Sequence, residues 1–405
     1  MDGTRGSRPS ATNRIQTMIR SGGGYRGPFL RVTAANFFFF LNFASFFLLP
    51  LHVKAIGGSE SVVGLVMGTT GMASLLFLPV VGSLMDRYGR RLFLFLGAGG
   101  MTLAALLFPS VDRVGLPLFA LRLLQGVSFA CAFTATTTFA ADFAPPERRA
   151  QALGLFGLST LLTHAMAPGL GEEIIARFGF SALFVVAALC SGISLWVASG
   201  LPHGRTLRSE DAAPPVVQSI SRAQWLTGAI TALGAMGFGT VMTFIATFVR
   251  TAGFGRAGYF FAAYTSTAIL VRFAGAGMSD RFGRRQVIIP ALLALGTSIA
   301  LVATAGTVPA LAVAGMLFGA AQGISYPTLH ALMVDLSADG QLGRTQALFN
   351  GAFNLGSTSG SFLFGYAAEH LGYRPMFLLA AAMPVLGSLF LAITRPDRAS
   401  SRRHH

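Results

Sequence analysis

Four ionisable side chains lie inside long apolar stretches of this 405-residue chain, where a charge or an unpaired polar group is costly. They are Arg122, His164, Arg272 and His330. A charge at the centre of a membrane-spanning helix costs at least about 2.5 kcal/mol, so such residues usually face a wet cavity or a polar partner. A guanidinium group can bind an anion, and a neutral imidazole can bind a small molecule, a proton or a metal ion. We predict ligand binding or ion coupling at these residues, with a hydrogen-bonded tie between helices as the alternative.

Uncharged polar side chains lie along the same stretches. Because polar groups in a dry environment must find partners, we expect them to line a polar cavity or to join neighbouring helices. The set is Asn42, Gln125, Gln322, Tyr326, Asn350 and Asn354. Met166 and Met333 follow the two histidines closely, and this pattern keeps a metal ion or a metal chelate open as an alternative ligand.

Membrane-spanning helices have to position these residues. The chain is 53% hydrophobic and 11% charged, whereas soluble domains carry roughly 25% charged residues. Runs of about 20 apolar residues are long enough to cross a bilayer. Twelve such runs are predicted, at residues 32–56, 61–85, 92–110, 115–141, 150–174, 180–201, 224–250, 258–279, 287–306, 309–335, 345–369 and 374–394. The sequence therefore predicts an all-α integral membrane protein.

A repeated turn divides the chain into two halves. GSLMDRYGRR at Gly82–Arg91 returns as GMSDRFGRR at Gly277–Arg285. Further markers recur at offsets of 193 to 197 residues, namely Gln125-Gly126 with Gln322-Gly323, Asp142 with Asp335, and Arg149 with Arg344. Such constancy indicates a six-helix repeat. We predict a disordered cytoplasmic tail at 1–31, helix bundles at 32–202 and 223–395, a cytoplasmic linker with Pro-Pro at 203–222, and a cytoplasmic tail at 396–405.

The net charge of +15 follows the predicted topology. Of the 30 Lys and Arg residues, 22 fall in segments on one side of the predicted spans, which is the excess expected of cytoplasmic loops. We therefore expect both termini in the cytoplasm and no binding of nucleic acid. Cys131 and Cys190 fall within predicted helices and are expected to be small apolar side chains rather than a disulfide.

Three features together resemble the major facilitator superfamily along nearly the whole chain: the Asp-Arg-x-Gly-Arg-Arg turns, the segment Arg122-Leu-Leu-Gln-Gly126, and the twelve spans. Within it, the chain is similar to bacterial twelve-helix drug and metabolite exporters. The resemblance implies two pseudo-symmetric six-helix bundles, a solute site between them near the bilayer midplane, and transport by alternating access. It also links Arg122 to proton coupling.

In that family the repeated turn is a conformational gate at the cytoplasmic side. The resemblance implies this role for Asp86, Arg87, Gly89, Arg90, Arg91, Asp142, Asp280, Arg281, Gly283, Arg284 and Arg285. Gly89 suits a chain reversal because glycine accepts positive φ without strain. Simple retention of an arginine-rich loop in the cytoplasm is the alternative.

A helix-packing motif in the fifth span bears on the direction of transport. Pro168, Gly169 and Gly171 resemble the Gly-Pro-x-x-Gly-Gly stretch of antiporters, although Ala167 replaces its first glycine and Glu172 its last. Small residues let a neighbouring helix approach closely, and proline removes one helical hydrogen bond. The resemblance favours export.

No acid lies in the middle of a predicted span, and the acids stand at span ends. A buried cation needs a counter-charge, so two arginines without an acid favour an anionic, zwitterionic or neutral amphipathic solute. We expect a monomeric, proton-coupled exporter of such a solute in the bacterial inner membrane. No motif indicates an enzyme, a cofactor or a resident metal. Proton-linked metabolite uptake, metal or metallophore transport, and lipid flipping are the alternatives.

Overall fold

The computed structural model describes residues 27–145, 148–202, 220–275, 277–337 and 341–394. Residues 1–26 of the predicted N-terminal tail, the predicted C-terminal tail at 396–405 and most of the predicted linker lie outside these residues. Nine helical stretches within the described residues are long and apolar enough to cross a membrane. One of them, Gln151–Ser199, reverses direction at Gly179 and therefore supplies two crossings.

Two further helices pack among these stretches, so the chain makes the twelve predicted crossings. The first half contains α1 Gly27–Ala55, α2 Glu60–Tyr88, α3 Arg90–Ser110, α4 Leu116–Phe143, α5 at 149–178 and α6 at 180–199. The second half contains α7 Arg222–Ala252, α8 Ala257–Ala274, α9 Arg284–Thr304, α10 Val308–Asp335, α11 Leu342–Leu371 and α12 Tyr373–Ile393. The predicted all-helical fold is confirmed.

Two boundaries differ from the prediction. The first helix begins at Gly27 rather than at residue 32, so residues 27–31 are helical and not part of a disordered tail. The predicted eighth span ran to residue 279, but α8 ends at Ala274 and a separate short helix, Met278–Phe282, follows. Gly277 lies between them with φ +80°, a conformation that side-chain-bearing residues rarely adopt and that ends a helix.

The repeated turns have the same backbone in both halves. Gly89 has φ +90° and Gly283 has φ +91°, and each directly precedes a helix that starts with the Arg-Arg pair. The predicted need for glycine at this reversal is confirmed. We call the membrane side that carries these turns the motif end. The opposite side, with the α1–α2, α3–α4, α5–α6, α7–α8, α9–α10 and α11–α12 connections, is the far end.

The halves touch most extensively along two helix pairs, α2 with α11 and α5 with α8, and the last part of α1 also contacts α7. Glycines let the backbones come together at both crossings. A Cβ on Gly365 would lie 3.0 Å from the Cα of Gly64, and a Cβ on Gly258 would lie 3.0 Å from the Cα of Gly169. These pairs stand towards the far end of their helices. The halves are therefore closely packed at that end.

Glycine is also required where helices of one half cross. A Cβ on Gly356 in α11 would overlap the backbone of Ala232 in α7. We predict that Gly356→Val lowers the stability of the protein by about 1–3 kcal/mol, because overpacking moves backbone. Thermal unfolding in detergent measures this loss. Gly99→Val is the matched control, since a Cβ there meets nothing within 4 Å. Equal midpoints for the two variants would contradict the close helix crossing.

Candidate functional site

A central cavity of about 460 Å³ lies between the two halves. Helices α1, α2, α4 and α5 line it from the first half, and α7, α8, α10 and α11 line it from the second. The volume lies within the range of small-molecule sites, about 300–1,000 Å³. The lining also includes Thr137, Phe156 and Arg272, which stand in the parts of their helices nearer the motif end. The cavity therefore extends towards the motif end, while the glycine crossings close the far end.

Aromatic rings form a large part of the cavity wall. The rings of Phe129 and Phe133 are stacked with centroids 5.3 Å apart, and the ring of Phe43 lies 4.7 Å from that of Phe129. Eight phenylalanines line the cavity: Phe40, Phe43, Phe47, Phe129, Phe133, Phe156, Phe238 and Phe353. Three of them, Phe40, Phe43 and Phe47, belong to the first helix. Their three- and four-residue spacing places them on one helix face, and this pattern in the sequence could have indicated an aromatic face towards the cavity.

Arg122 is buried, with 4% of its surface exposed, between α2 and α4. Its Nε donates to the Val66 carbonyl at 3.0 Å, Nη1 donates to Gln125 Oε1 at 2.7 Å, and Nη2 donates to the Met67 carbonyl at 3.4 Å. All of these acceptors are neutral. The guanidinium is held in place by oxygen dipoles, and its charge is not cancelled by any of these partners.

His164 and Arg272 line the cavity from opposite halves. The His164 ring lies edge-on to Phe47 at 5.2 Å and parallel to Tyr264 at 6.4 Å, and its Nδ1 is buried without a hydrogen-bond partner among the described residues. Arg272 is exposed and forms no ion pair within the described part of the chain. Polar groups with unused hydrogen-bonding capacity therefore face the aromatic wall.

The structure places the predicted cavity residues in two groups. Those that line the cavity are Arg122, His164, Arg272, Gln322, Tyr326 and Asn354. Those that the cavity lining does not include are Asn42, Gln125, His330 and Asn350. Gln125 supports Arg122, and Asn350 accepts a hydrogen bond from the Asn354 side chain through its carbonyl at 2.9 Å.

Two of these residues pack away from the cavity. Asn42 is fully buried and donates to the Ala187 carbonyl at 2.6 Å and to Ser191 Oγ at 3.0 Å, so it ties α1 to α6. Its helix face points into the first half, so Asn42 joins neighbouring helices, which is the alternative that the sequence left open. His330 packs against the Phe349 ring at 4.8 Å. The two histidines do not share the cavity, and the described residues contain no group of three His, Cys, Asp or Glu side chains that could hold a metal ion.

At the motif end, the predicted gate residues bind within their own half. Arg90 pairs with Asp142 in the first half, and Arg284 pairs with Asp335 at 2.9 Å and with Asp280 in the second. The second arginine of each pair donates to the end of a peripheral helix, at the carbonyls of Ser199 and Ala392. Asp86, Arg87 and Arg281 are exposed. The repeated turns therefore tie helices of one bundle together in this conformation.

Comparison with known proteins agrees with this architecture. The family model described as Major Facilitator Superfamily matches residues 32–276 and 227–405. The Staphylopine export protein of Staphylococcus aureus is 24% identical over 402 residues, covering 94% of this chain and 99% of that protein. The multi-drug resistance efflux pump PmrA of Streptococcus pneumoniae is 24% identical, covering 84% and 89% of the two chains. The inward open xylose transporter XylE from E. coli shares the fold, with a TM-score of 0.75 at 15% identity over 92% of this chain and 97% of that chain.

The hydrogen bonds of Arg122 need a planar group that donates in several directions. We predict that Arg122→Lys lowers the unfolding midpoint, because a single ammonium cannot satisfy the acceptors on both α2 and α4. Unpaired buried acceptors cost about 1–3 kcal/mol. Thermal unfolding in detergent checks this, and Arg113→Lys in an exposed loop is the control. An unchanged midpoint for Arg122→Lys would show that the hydrogen bonds to α2 are dispensable.

Proposed function

Because the chain belongs to the major facilitator superfamily, we propose that it exports a small amphipathic organic anion by moving its two halves alternately about the central cavity. It is a multi-pass transporter of a bacterial inner membrane, and no enzyme chemistry is assigned to it. The observation that carries the solute class is the cavity lining. It combines an aromatic wall with two arginines and a histidine, and it contains no aspartate or glutamate among the described residues.

Charge complementarity supports an anion over a cation. A cation in this cavity would lose water and gain no carboxylate, while both arginines would repel it. An anion can receive hydrogen bonds from Arg272 and from a histidine or tyrosine, and charge-assisted bonds are among the strongest polar contacts in proteins. The apolar part of the same solute can pack against the phenylalanine wall. Both parts of an amphipathic anion are thus satisfied.

The proposed orientation places the motif end in the cytoplasm. The arginine-rich turns lie there, and cytoplasmic loops of membrane proteins carry an excess of arginine and lysine. With that orientation the cavity extends towards the cytoplasm and is closed towards the outside. This conformation is the one in which an exporter loads its solute. The relatives named for staphylopine export and for multi-drug efflux support the outward direction. Protons are the proposed coupling ion.

Flux of matched probes tests the solute class. We expect proteoliposomes with a pH gradient to transport the aromatic anion 8-anilinonaphthalene-1-sulfonate and not the aromatic cation ethidium. Arg272→Gln should raise the KM for anion transport about tenfold, because the solute loses one charge-assisted hydrogen bond. Its unfolding midpoint should stay unchanged, because Arg272 is exposed and forms no ion pair among the described residues.

The matched control for that experiment is Arg113→Gln, which removes the same charge from an exposed far-end loop outside the cavity. Faster ethidium transport than anion transport would overturn the proposed solute class. Equal anion transport by Arg272→Gln and by the control would remove Arg272 from the solute site.

The proposed gate role of Asp86 has its own test. Asp86 is exposed while the cavity extends towards the motif end, and in the proposed cycle it binds the other half when that end closes. We expect Asp86→Asn to cut transport at least about fivefold and to favour the present conformation, since one charge-assisted contact of the closed motif end is lost. Cysteine accessibility at the cavity reports the conformation. The control Asp112→Asn, an exposed far-end acid, should transport normally. Full transport by Asp86→Asn would leave this turn with only a topological role.

A further inference from the structure

Two acids at the far end join the halves by binding the N-terminus of a helix in the other half. Glu172 in α5 accepts hydrogen bonds from the backbone N–H groups of Ala257 at 2.9 Å and Gly258 at 2.7 Å. Both donors belong to the first turn of α8, in the other half. The Glu172 carboxylate on α5 therefore binds the N-terminus of α8.

A second acid makes the equivalent contact at the other crossing. Glu369 near the end of α11 accepts hydrogen bonds from Ser59 Oγ at 2.7 Å and from the backbone N–H of Ser61 at 3.0 Å. These donors are the N-cap and first turn of α2. Glu172 and Glu369 are 197 positions apart, as are Ser61 and Gly258, which is within the offsets of the internal repeat. The two contacts are related by the pseudo-symmetry of the halves.

The first turn of a helix has N–H groups without intrahelical partners and carries the positive end of the helix dipole, so it favours a carboxylate. The N-cap residue of α8 is Arg256, whose side chain makes no capping hydrogen bond. The cap of α8 is therefore supplied by Glu172 from the opposite half. Moving the halves apart at the far end would leave the first turn of α8 without this partner.

The glycine crossings place these acids. Gly169 in α5 lies one turn before Glu172 and against Gly258, while Gly365 in α11 lies one turn before Glu369 and against Gly64. Close approach of the backbones brings each carboxylate within reach of the opposite helix start. At each crossing, the glycine pair and the acid thus act together to join the halves.

We infer that Glu172 and Glu369 hold the far end closed as a pair of gate acids, and that binding of a proton to Glu172 releases it. Glu172 is half-buried between the halves, whereas Glu369 is exposed. The ionised carboxylate accepts two N–H bonds, and the protonated form has one oxygen that no longer accepts well. The charged groups around Glu172 are Arg250 at the end of α7, Arg256 before α8, and Glu173 on its own helix. On α1, the neighbouring contact is apolar, from Leu48 to Gly171.

This inference rests on the alternation in the proposed function but not on the solute. It gives the transporter a proton site that lies outside a cavity without carboxylates. Since the stabilising form is the ionised one, far-end closure should be favoured at high pH and lost as the pH falls.

Distances between spin labels test the inference. The reporter pair at the far end is Arg113→Cys with Gly306→Cys, and the pair at the motif end is Ser199→Cys with Ile393→Cys, all four sites being exposed. Cys131 and Cys190 are replaced by alanine in both. In the wild type we expect the far-end distance to lengthen, and the motif-end distance to shorten, between pH 8 and pH 5.

The variants separate the two acids. Glu172→Gln should show the low-pH distances at pH 8, with the open-to-closed ratio raised about tenfold, and should lose the pH response. Glu369→Gln should also favour far-end opening but keep the pH response. Glu173→Gln is the matched control. This adjacent acid also reaches the other half, but only through an exposed ion pair with Arg256, and exposed ion pairs contribute little.

Distances that stay closed in Glu172→Gln at both pH values would overturn the inference. So would an unchanged pH response in that variant, or an equal effect of Glu173→Gln. Addition of 8-anilinonaphthalene-1-sulfonate to the same samples keeps the proposed function separate. If this anion changes the distances while pH and the Glu172→Gln substitution do not, alternation stands and only the gate acids fail.

Discussion

The bilayer offers no water to satisfy polar groups, and this constraint governs where each polar residue of the protein lies. Within each half, several buried polar side chains have partners on neighbouring helices of the same half. Asn42 binds α6 and Arg122 binds α2 in the first half, and Ser388 donates to the Ile289 carbonyl in the second. Such pairs are costly to break in a dry environment. Each half is therefore stiff, and the movement needed for transport has to occur at the surface between the halves.

The contacts between the halves are of a different kind. At the far end they combine glycine pairs, which allow close approach but lose little side-chain burial when separated, with carboxylates on helix N-termini. Carboxylates there can exchange their N–H partners for water, because that end of the helices meets the aqueous phase. The motif end has its ion pairs inside each half instead, as with Arg90 and Asp142. The hydrogen bonds that must break during the cycle thus lie where water can replace the lost partners, which lowers the free-energy cost of breaking them.

The sequence predicts the fold closely because hydropathy and the internal repeat are long-range signals that tertiary contacts rarely override. Gly89 is predicted from local backbone needs alone, and both Gly89 and its repeat Gly283 have positive φ. The residues of the site are harder to predict from sequence, because a polar residue in a span can face the cavity or a neighbouring helix with the same local sequence. Asn42 and Gln322 illustrate this: the rotation of each helix about its axis, which decides between the two, depends on packing partners in other helices.

Dependence on packing partners also explains why the sequence does not reveal the gate acids Glu172 and Glu369 as a pair. Glu172 interrupts a glycine motif and Glu369 stands near a helix end, and neither has a partner close in sequence. Their acceptor role appears only once α5 meets α8 and α11 meets α2. The lack of carboxylates among the described residues of the cavity lining therefore has two consequences. It supports the proposed anionic solute. It also leaves the carboxylates at the ends of the helices, where a proton in the proposed gate acts on the contact between the halves and does not compete with the solute for the same charge.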